Sequence, residues 1–211
     1  MTIQAIETHY AGHRFRSRLE ARWAVFLDTL DIPWQYEPQG FELAPFSPEH
    51  VQRMTDERLR EPQPDDAKHL GAYLPDFWLP EQAAWLEIKG PDPTAEDWAR
   101  LFRFMELIEN RVFVAVGSIP NPRTIGDYGH DYDEKSFEIY TYGDHHYAWT
   151  RCDSCGFYDL TFDARSARTR CGCHQKEAPG CDKCYRGDDP NIIAAYTAAR
   201  SARFEHGEAG R

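Results

Sequence analysis

Leu74-Pro75-Asp76-Phe77 and Trp85-Leu86-Glu87-Ile88-Lys89-Gly90 decide how this chain reads, with ten residues between Asp76 and Glu87. The second stretch is apolar enough for a buried strand, yet it carries two charges. On a strand, residues i and i+2 share a face, so Glu87 and Lys89 point the same way. Residues 72–79 also have strand character, interrupted by Pro75 as at a sheet edge or bulge. Glu81-Gln82 makes a tight connection, so the two strands form a hairpin. Asp76 then faces the same pocket from across the hairpin. Two carboxylates and one ammonium are expected together at the end of a sheet. Carboxylate oxygens of this kind suit Mg²⁺ or Mn²⁺. A cation there would polarise a phosphate and acidify an attacking water. Lys89 would stabilise developing negative charge or position that water.

Working outward, residues 15–30 place Leu19, Trp23, Phe26, Leu27 and Leu30 at helical spacing. Ser17 is the expected N-cap, with Glu20 three residues later as in a capping box, and Pro33 stops the helix. Residues 34–38 alternate as a short strand. Residues 44–70 hold Pro45, Pro48, Pro62, Pro64 and many charges, predicting an exposed insertion with one helical turn around 49–59. Thr94 caps a second helix, with Asp97 near the capping-box position and Trp98, Leu101, Phe102, Met105 and Ile108 as its apolar stripe. Residues 111–117 are almost continuously apolar, as in the middle of a sheet. Residues 118–150 are loop-rich, with one edge strand near 137–142. The order helix, strand, strand, strand, helix, strand predicts an α/β (α+β) core.

Pro75-Asp76, the ten-residue gap and Glu87-Ile88-Lys89, set in that order of elements, resemble the PD-(D/E)XK nuclease superfamily. The resemblance covers residues 10–117. The family often carries an acidic residue on its first helix, and Glu20 matches it. The N-terminal pattern is similar to single-domain phage and transposon nucleases. The resemblance implies a restriction-endonuclease-like core with a mixed central sheet flanked by helices. It also implies divalent-metal-dependent phosphodiester hydrolysis, on DNA, in a phage or mobile-element setting. Asp76, Glu87 and Glu20 would hold Mg²⁺ or Mn²⁺, and Lys89 would assist catalysis. The Pro-rich insertion before Asp76 departs from the most compact members.

The composition sets bounds on these expectations. The 211 residues are 41% hydrophobic and 14% aromatic, which excludes a disordered chain. No run approaches the ~18 apolar residues of a membrane span, and residues 1–10 lack the apolar core of a signal peptide. A cytoplasmic protein is expected, with its cysteines reduced or metal-bound. The net charge of −11 argues at face value against nucleic acid. The charge is uneven, however: residues 1–150 hold 14 basic and 26 acidic residues, and residues 151–211 hold 10 and 9. Part of the negative charge is the carboxylate site itself. Arg14, Arg16 and Arg18 crowd the start of the first helix, with Arg14, Arg18 and Arg22 expected on one face. They lie near Glu20, where they would contact DNA phosphates flanking a cut.

All six cysteines lie between Cys152 and Cys184. Cys152-Asp-Ser-Cys155-Gly156 and Cys181-Asp-Lys-Cys184 are two C-x-x-C pairs, a strong signal for tetrahedral Zn²⁺. Between them stands Cys171-Gly-Cys173-His174. A hairpin of residues 157–163 with 167–170 would return Cys171 and Cys173 toward Cys155. The simplest ligand set is Cys152, Cys155, Cys181 and Cys184, resembling a zinc ribbon. The alternate replaces one pair by Cys171 and Cys173. A module this small is not expected to fold without its metal. Its arginines and lysines, with Arg200 and Arg203 of a tail helix over 192–204, make a basic surface suited to DNA. Three units are expected: a nuclease-like domain at 1–149, a zinc module at 150–190, and a C-terminal helix and tail at 191–211. The alternative function is a non-catalytic nuclease-like adaptor, binding a protein partner or DNA through its zinc module.

Overall fold

The computed structural model of the chain describes residues 6–44, 71–90, 93–123, 125, 138–141, 144–145, 147–162, 170–171, 173 and 188–204. The chain opens on an antiparallel hairpin of β1 (Thr8–Tyr10) and β2 (His13–Phe15). Ala11 and Gly12 form its two-residue turn, both at positive φ (48° and 81°), the backbone that lets a tight turn follow the twist of its strands. Helix α1 (Arg18–Thr29) begins at Ser17, whose hydroxyl accepts from the Glu20 N–H at 3.2 Å. Trp23, Ala24, Phe26 and Leu27 form its buried face.

β3 (Gln35–Tyr36) follows, then β4 (Phe41–Leu43) and β5 (Gly71–Tyr73), which pair with each other apart from the main sheet. Residues 45–70 of the insertion, including the expected helical turn at 49–59, lie outside the described residues. The strand expected over 72–79 is two strands, because Pro75 offers no N–H and breaks the ladder. Its first half is β5, and its second is β6 (Phe77–Leu79), which pairs with β7 (Ala84–Lys89) as the expected hairpin.

Helix α2 (Ala95–Leu107) leads from β7 to β8 (Arg111–Val116), and β7 and β8 run parallel. Thr94 and Asp97 form the expected capping box. β9 (Glu138–Thr141) pairs antiparallel with β8, and β10 (Asp144–His145) with β9, so the strand expected at the edge has a neighbour beyond it. The result is a six-stranded mixed sheet of order β10-β9-β8-β7-β6-β3. β7 and β8 are buried along nearly their whole length, because helices cover both faces. That explains why the apolar residues of β7 do not alternate. Leu86 and Ile88 pack toward α1, whereas Trp85 joins the cluster under α2.

β11 (Tyr147–Arg151) and β12 (Tyr158–Phe162) form a separate antiparallel pair. β12 was expected to pair forward with 167–170, but its described partner is β11, in a stretch read as loop. Residues 167–169 lie outside the described residues. Helix α3 (Pro190–Ser201) starts at the Asp189 cap with Pro190 in its first turn, where a missing N–H costs nothing. Its Tyr196 ring lies 4.6 Å from that of Phe26 on α1, and Trp149 of β11 lies 5.6 Å from the same ring. Trp23, Phe26, Leu86, Trp149, Leu160 and Tyr196 thus share one core. The expected unit boundaries at 149/150 and 190/191 fall inside β11 and α3.

Candidate active site and metal centre

Asp76 precedes β6 and is buried. Its Oδ2 accepts from the Ile88 N–H at 2.7 Å, and its Oδ1 from Arg16 Nη2 at 2.7 Å. Its own N–H donates to Glu87 Oε2 at 3.2 Å, so the two acidic residues touch across the β6–β7 hairpin. Glu87 is also buried, and Lys89 Nζ, two residues on and on the same face, stands 3.1 Å from Glu87 Oε1. Lys89 reaches Asp97 Oδ1 at 3.6 Å as well. The sequence therefore located the Asp76–Glu87–Lys89 group, and the structure brings it together.

Glu20 lies at the start of α1 and is buried. Its Oε2 accepts from the Tyr36 hydroxyl at 2.6 Å and the Arg16 N–H at 3.1 Å, and its Oε1 from the Ser17 hydroxyl at 2.7 Å. The expected reciprocal capping box is thus altered: the carboxylate reaches the N–H of Arg16 rather than that of the cap residue. Glu20 is close enough for its charge to act on Asp76.

The electrostatics follow from crowding. Burial, then the charges of Glu87 and Glu20, push the Asp76 pKa well above the usual carboxylate range, against the opposing pull of the Ile88 N–H and Arg16. Burial raises Glu87 too, with Lys89 opposing it. Burial works against the Lys89 ammonium, but Glu87 and Asp97 outweigh it and its pKa is raised. Tyr73 of β5 is buried nearby; burial, then Glu87 and Asp76, raise its hydroxyl pKa. Buried carboxylates at this density are unfavourable without a compensating cation, and three carboxylates offer only oxygen donors.

The arginines differ from expectation. Arg14 lies on β2 and pairs with Glu7, so it does not share a helix face with Arg18 and Arg22. Arg16 is drawn inward to Asp76 and, at 2.6 Å, to Glu37. Arg18 remains exposed on α1. Tyr36, Tyr73 and Asp97 join the site without a functional signal in the sequence; Asp97 was legible only as a helix cap.

The second centre lies beyond β11. The ligand atoms of Cys152, Cys155, Cys171 and Cys173 all lie within 4.8 Å of one another. Tetrahedral zinc with Zn–S near 2.3 Å spaces its sulfurs about 3.8 Å apart, so these four thiols could bind a metal ion such as zinc. The alternate set is the one gathered here; Cys181, Cys184 and His174 lie outside the described residues. Cys152 O accepts from the Gly156 N–H at 2.8 Å, and Gly156 holds φ +79°, which closes the knuckle as the sequence suggested. The Cys155 thiol is pushed up to about 12 by desolvation and by the neighbouring sulfurs. Buried Asp159 joins the pieces: it accepts from Arg111 Nη2 at 2.8 Å and from the Arg170 N–H at 2.9 Å, beside Cys171.

No helix among the described residues is long and apolar enough to cross a membrane. No protein-family model, curated protein or solved structure matches the chain.

Proposed function

We propose that this chain is a divalent-metal-dependent nuclease with a restriction-endonuclease-like core, hydrolysing phosphodiester bonds in DNA. One observation carries the reading. Asp76 and Glu87 are buried against each other on adjoining strands, with Lys89 on Glu87 and Glu20 within electrostatic reach. Arg16 and Lys89 each pair with one of these carboxylates. Burial still raises the pKa of both carboxylates, with Glu87 and Glu20 adding to the rise at Asp76, an environment that favours a further cation. The all-oxygen donor set fits Mg²⁺ or Mn²⁺, held by Asp76 and Glu87 with Glu20. Such an ion, when bound, polarises the phosphate and acidifies the attacking water. Lys89, kept protonated by Glu87 and Asp97, donates to a phosphate oxygen as negative charge develops there. Tyr36 and Ser17 orient Glu20, and the Ile88 N–H orients Asp76. The cysteine cluster holds zinc and carries a basic surface toward DNA or a protein partner.

The test incubates the full chain with plasmid, single-stranded and branched DNA, in Mg²⁺, Mn²⁺ or EDTA. Metal-dependent cleavage that disappears in Glu87→Gln is expected. Failure to cut any substrate in either metal would overturn the proposal.

The Arg16–Asp76 ion pair favours a second reading, a non-catalytic nuclease-like adaptor acting through the cysteine module. An internal guanidinium there already neutralises the carboxylate. Capture of DNA or a protein with no cleavage in any metal would select this reading.

A further inference from the structure

Lys89 ends β7, and two carboxylates from different elements bracket its ammonium. Glu87 Oε1 lies 3.1 Å from Lys89 Nζ, and Asp97 Oδ1 lies 3.6 Å from it. Glu87 belongs to the same strand and is buried. Asp97 stands in the first turn of α2 and is 36% exposed. The alternation of β7 puts Trp85, Glu87 and Lys89 on one face, and Trp85 shares a cluster with Trp98 and Phe102 of α2. That packing sets α2 against the face from which Lys89 projects.

The two oxygens of Asp97 have separate tasks. Oδ2 accepts from the Thr94 N–H at 2.9 Å and from the Thr94 hydroxyl at 2.7 Å. The Asp97 N–H donates back to Thr94 Oγ1 at 3.2 Å, which closes the capping box. The cap engages Oδ2 alone, so it fixes the carboxylate and leaves Oδ1 facing Lys89.

Glu87 is a divided anchor for that lysine. Its Oε2 accepts from the Asp76 N–H at 3.2 Å, and a divalent cation shared with Asp76 would draw on its charge as well. Asp97 lies on another element, outside the proposed ligand set, so its hold on Lys89 persists when Glu87 is engaged. A lysine stem is flexible and needs such an anchor to keep its ammonium in one place. Nζ carries three donors, and two anionic neighbours leave one for a phosphate oxygen.

We infer that Asp97 is a positioning residue, which holds Lys89 Nζ from the start of α2 where a phosphate oxygen would meet it; this rests on the nuclease reading. Asp97 acts through Lys89 and touches no reacting atom.

The test has two arms on the full chain. The first is a double-mutant cycle of Asp97→Asn and Lys89→Met, read by urea unfolding in EDTA without DNA. Asn keeps an oxygen for Thr94, so the cap survives and the charge is lost. The two substitutions are expected to be non-additive, by about two- to fivefold in the unfolding constant; a residue that only caps α2 would give additive effects. The second arm measures DNA cleavage in Mg²⁺. Asp97→Asn is expected to lower kcat about tenfold or more with little change in KM, and Asp97→Glu to restore most of it. Additive stabilities would overturn the inference, and so would a wild-type kcat in Asp97→Asn. A wild type that cuts nothing, with the coupling present, fails the nuclease reading alone. One that cuts DNA while Asp97→Asn cuts equally fast fails the positioning role alone.

Discussion

Arg16, just ahead of the first helix, donates from Nη2 to Oδ1 of Asp76 at 2.7 Å, sixty positions away in the chain. The Ile88 N–H takes the other oxygen at the same distance. Asp76 is therefore a buried carboxylate with both oxygens engaged, and a metal ion must compete with Arg16 for one of them.

Arg16→Gln follows from that competition. Without the guanidinium, Asp76 keeps its burial and its two acidic neighbours but loses the cation it pairs with directly. The variant is expected to lose about 1–3 kcal/mol in EDTA, toward the lower end because Arg16 is half-exposed. Added Mg²⁺ should stabilise the variant more than the wild type. Urea unfolding with and without Mg²⁺ measures this, and an equal Mg²⁺ response in both proteins would count against a shared oxygen.

The raised pKa values of Asp76 and Glu87 set the pH dependence without metal. An acid whose pKa rises on folding binds its proton more tightly in the native state. Stability then falls as pH climbs from the ordinary carboxylate value, about 4, through the raised one. Lys89 does not enter this window, since its raised pKa removes stability only above about 10.4. Urea midpoints in EDTA should decline over this range, and Asp76→Asn should flatten the decline.

In the cleavage assay, Asp76→Ala and Glu87→Ala should abolish metal-dependent activity. Lys89→Met, which keeps the stem of the side chain, should lower the rate by about 10²-fold or more. Circular dichroism should stay native, although Asp76→Ala leaves the Ile88 N–H unpaired at a cost of about 1–3 kcal/mol. Full activity in Asp76→Ala would remove the mechanism.

Protein purified without chelator should carry about one zinc per chain, bound by the four-thiolate set. Cys171→Ser and Cys173→Ser should lower the zinc content measured by elemental analysis, whereas Cys181→Ser and Cys184→Ser should leave it unchanged. Zinc retained by the first pair of variants and lost from the second would restore the other ligand set. Stripping the metal should also release hydrogen-exchange protection in β11 and β12.

Tyr196→Ala tests whether α3 belongs to the main core. Its ring packs on Phe26, in the cluster that also holds Trp23 and Trp149. A loss of about 3–5 kcal/mol is expected, in a single unfolding transition seen equally at the N-terminal residues. A separate low-temperature transition confined to the C-terminal part would instead support an independent tail.

The local chemistry was legible because it is written in short spacings. Ser17 before α1, Thr94 with Asp97 before α2, and Glu87-Ile88-Lys89 each need only a few residues to declare their geometry. Partners chosen over long distances left no such trace. Arg16 read as a phosphate contact because nothing nearby in sequence pointed to Asp76. β12 read as the first half of a forward hairpin because its partner β11 lies in a stretch rich in loop-forming residues. That Cys171 and Cys173 gather with Cys152 and Cys155 was likewise beyond the spacing rule, because their C-x-C spacing is weaker than the C-x-x-C of Cys181 and Cys184.

By itself the sequence determined the starts of α1 and α2, the Asp76–Glu87–Lys89 hairpin, the mixed α+β class and a cluster of thiols that could bind a metal ion. Periodicity, capping and ligand spacing act over one or two turns or one hairpin. Tertiary structure alone decided that α3 closes the core beside Phe26, that Tyr36 and Tyr73 line the carboxylates, and that Arg16 neutralises Asp76. Those choices depend on which surfaces remain to be buried and which charges remain uncompensated once the sheet has formed, quantities that no local stretch contains.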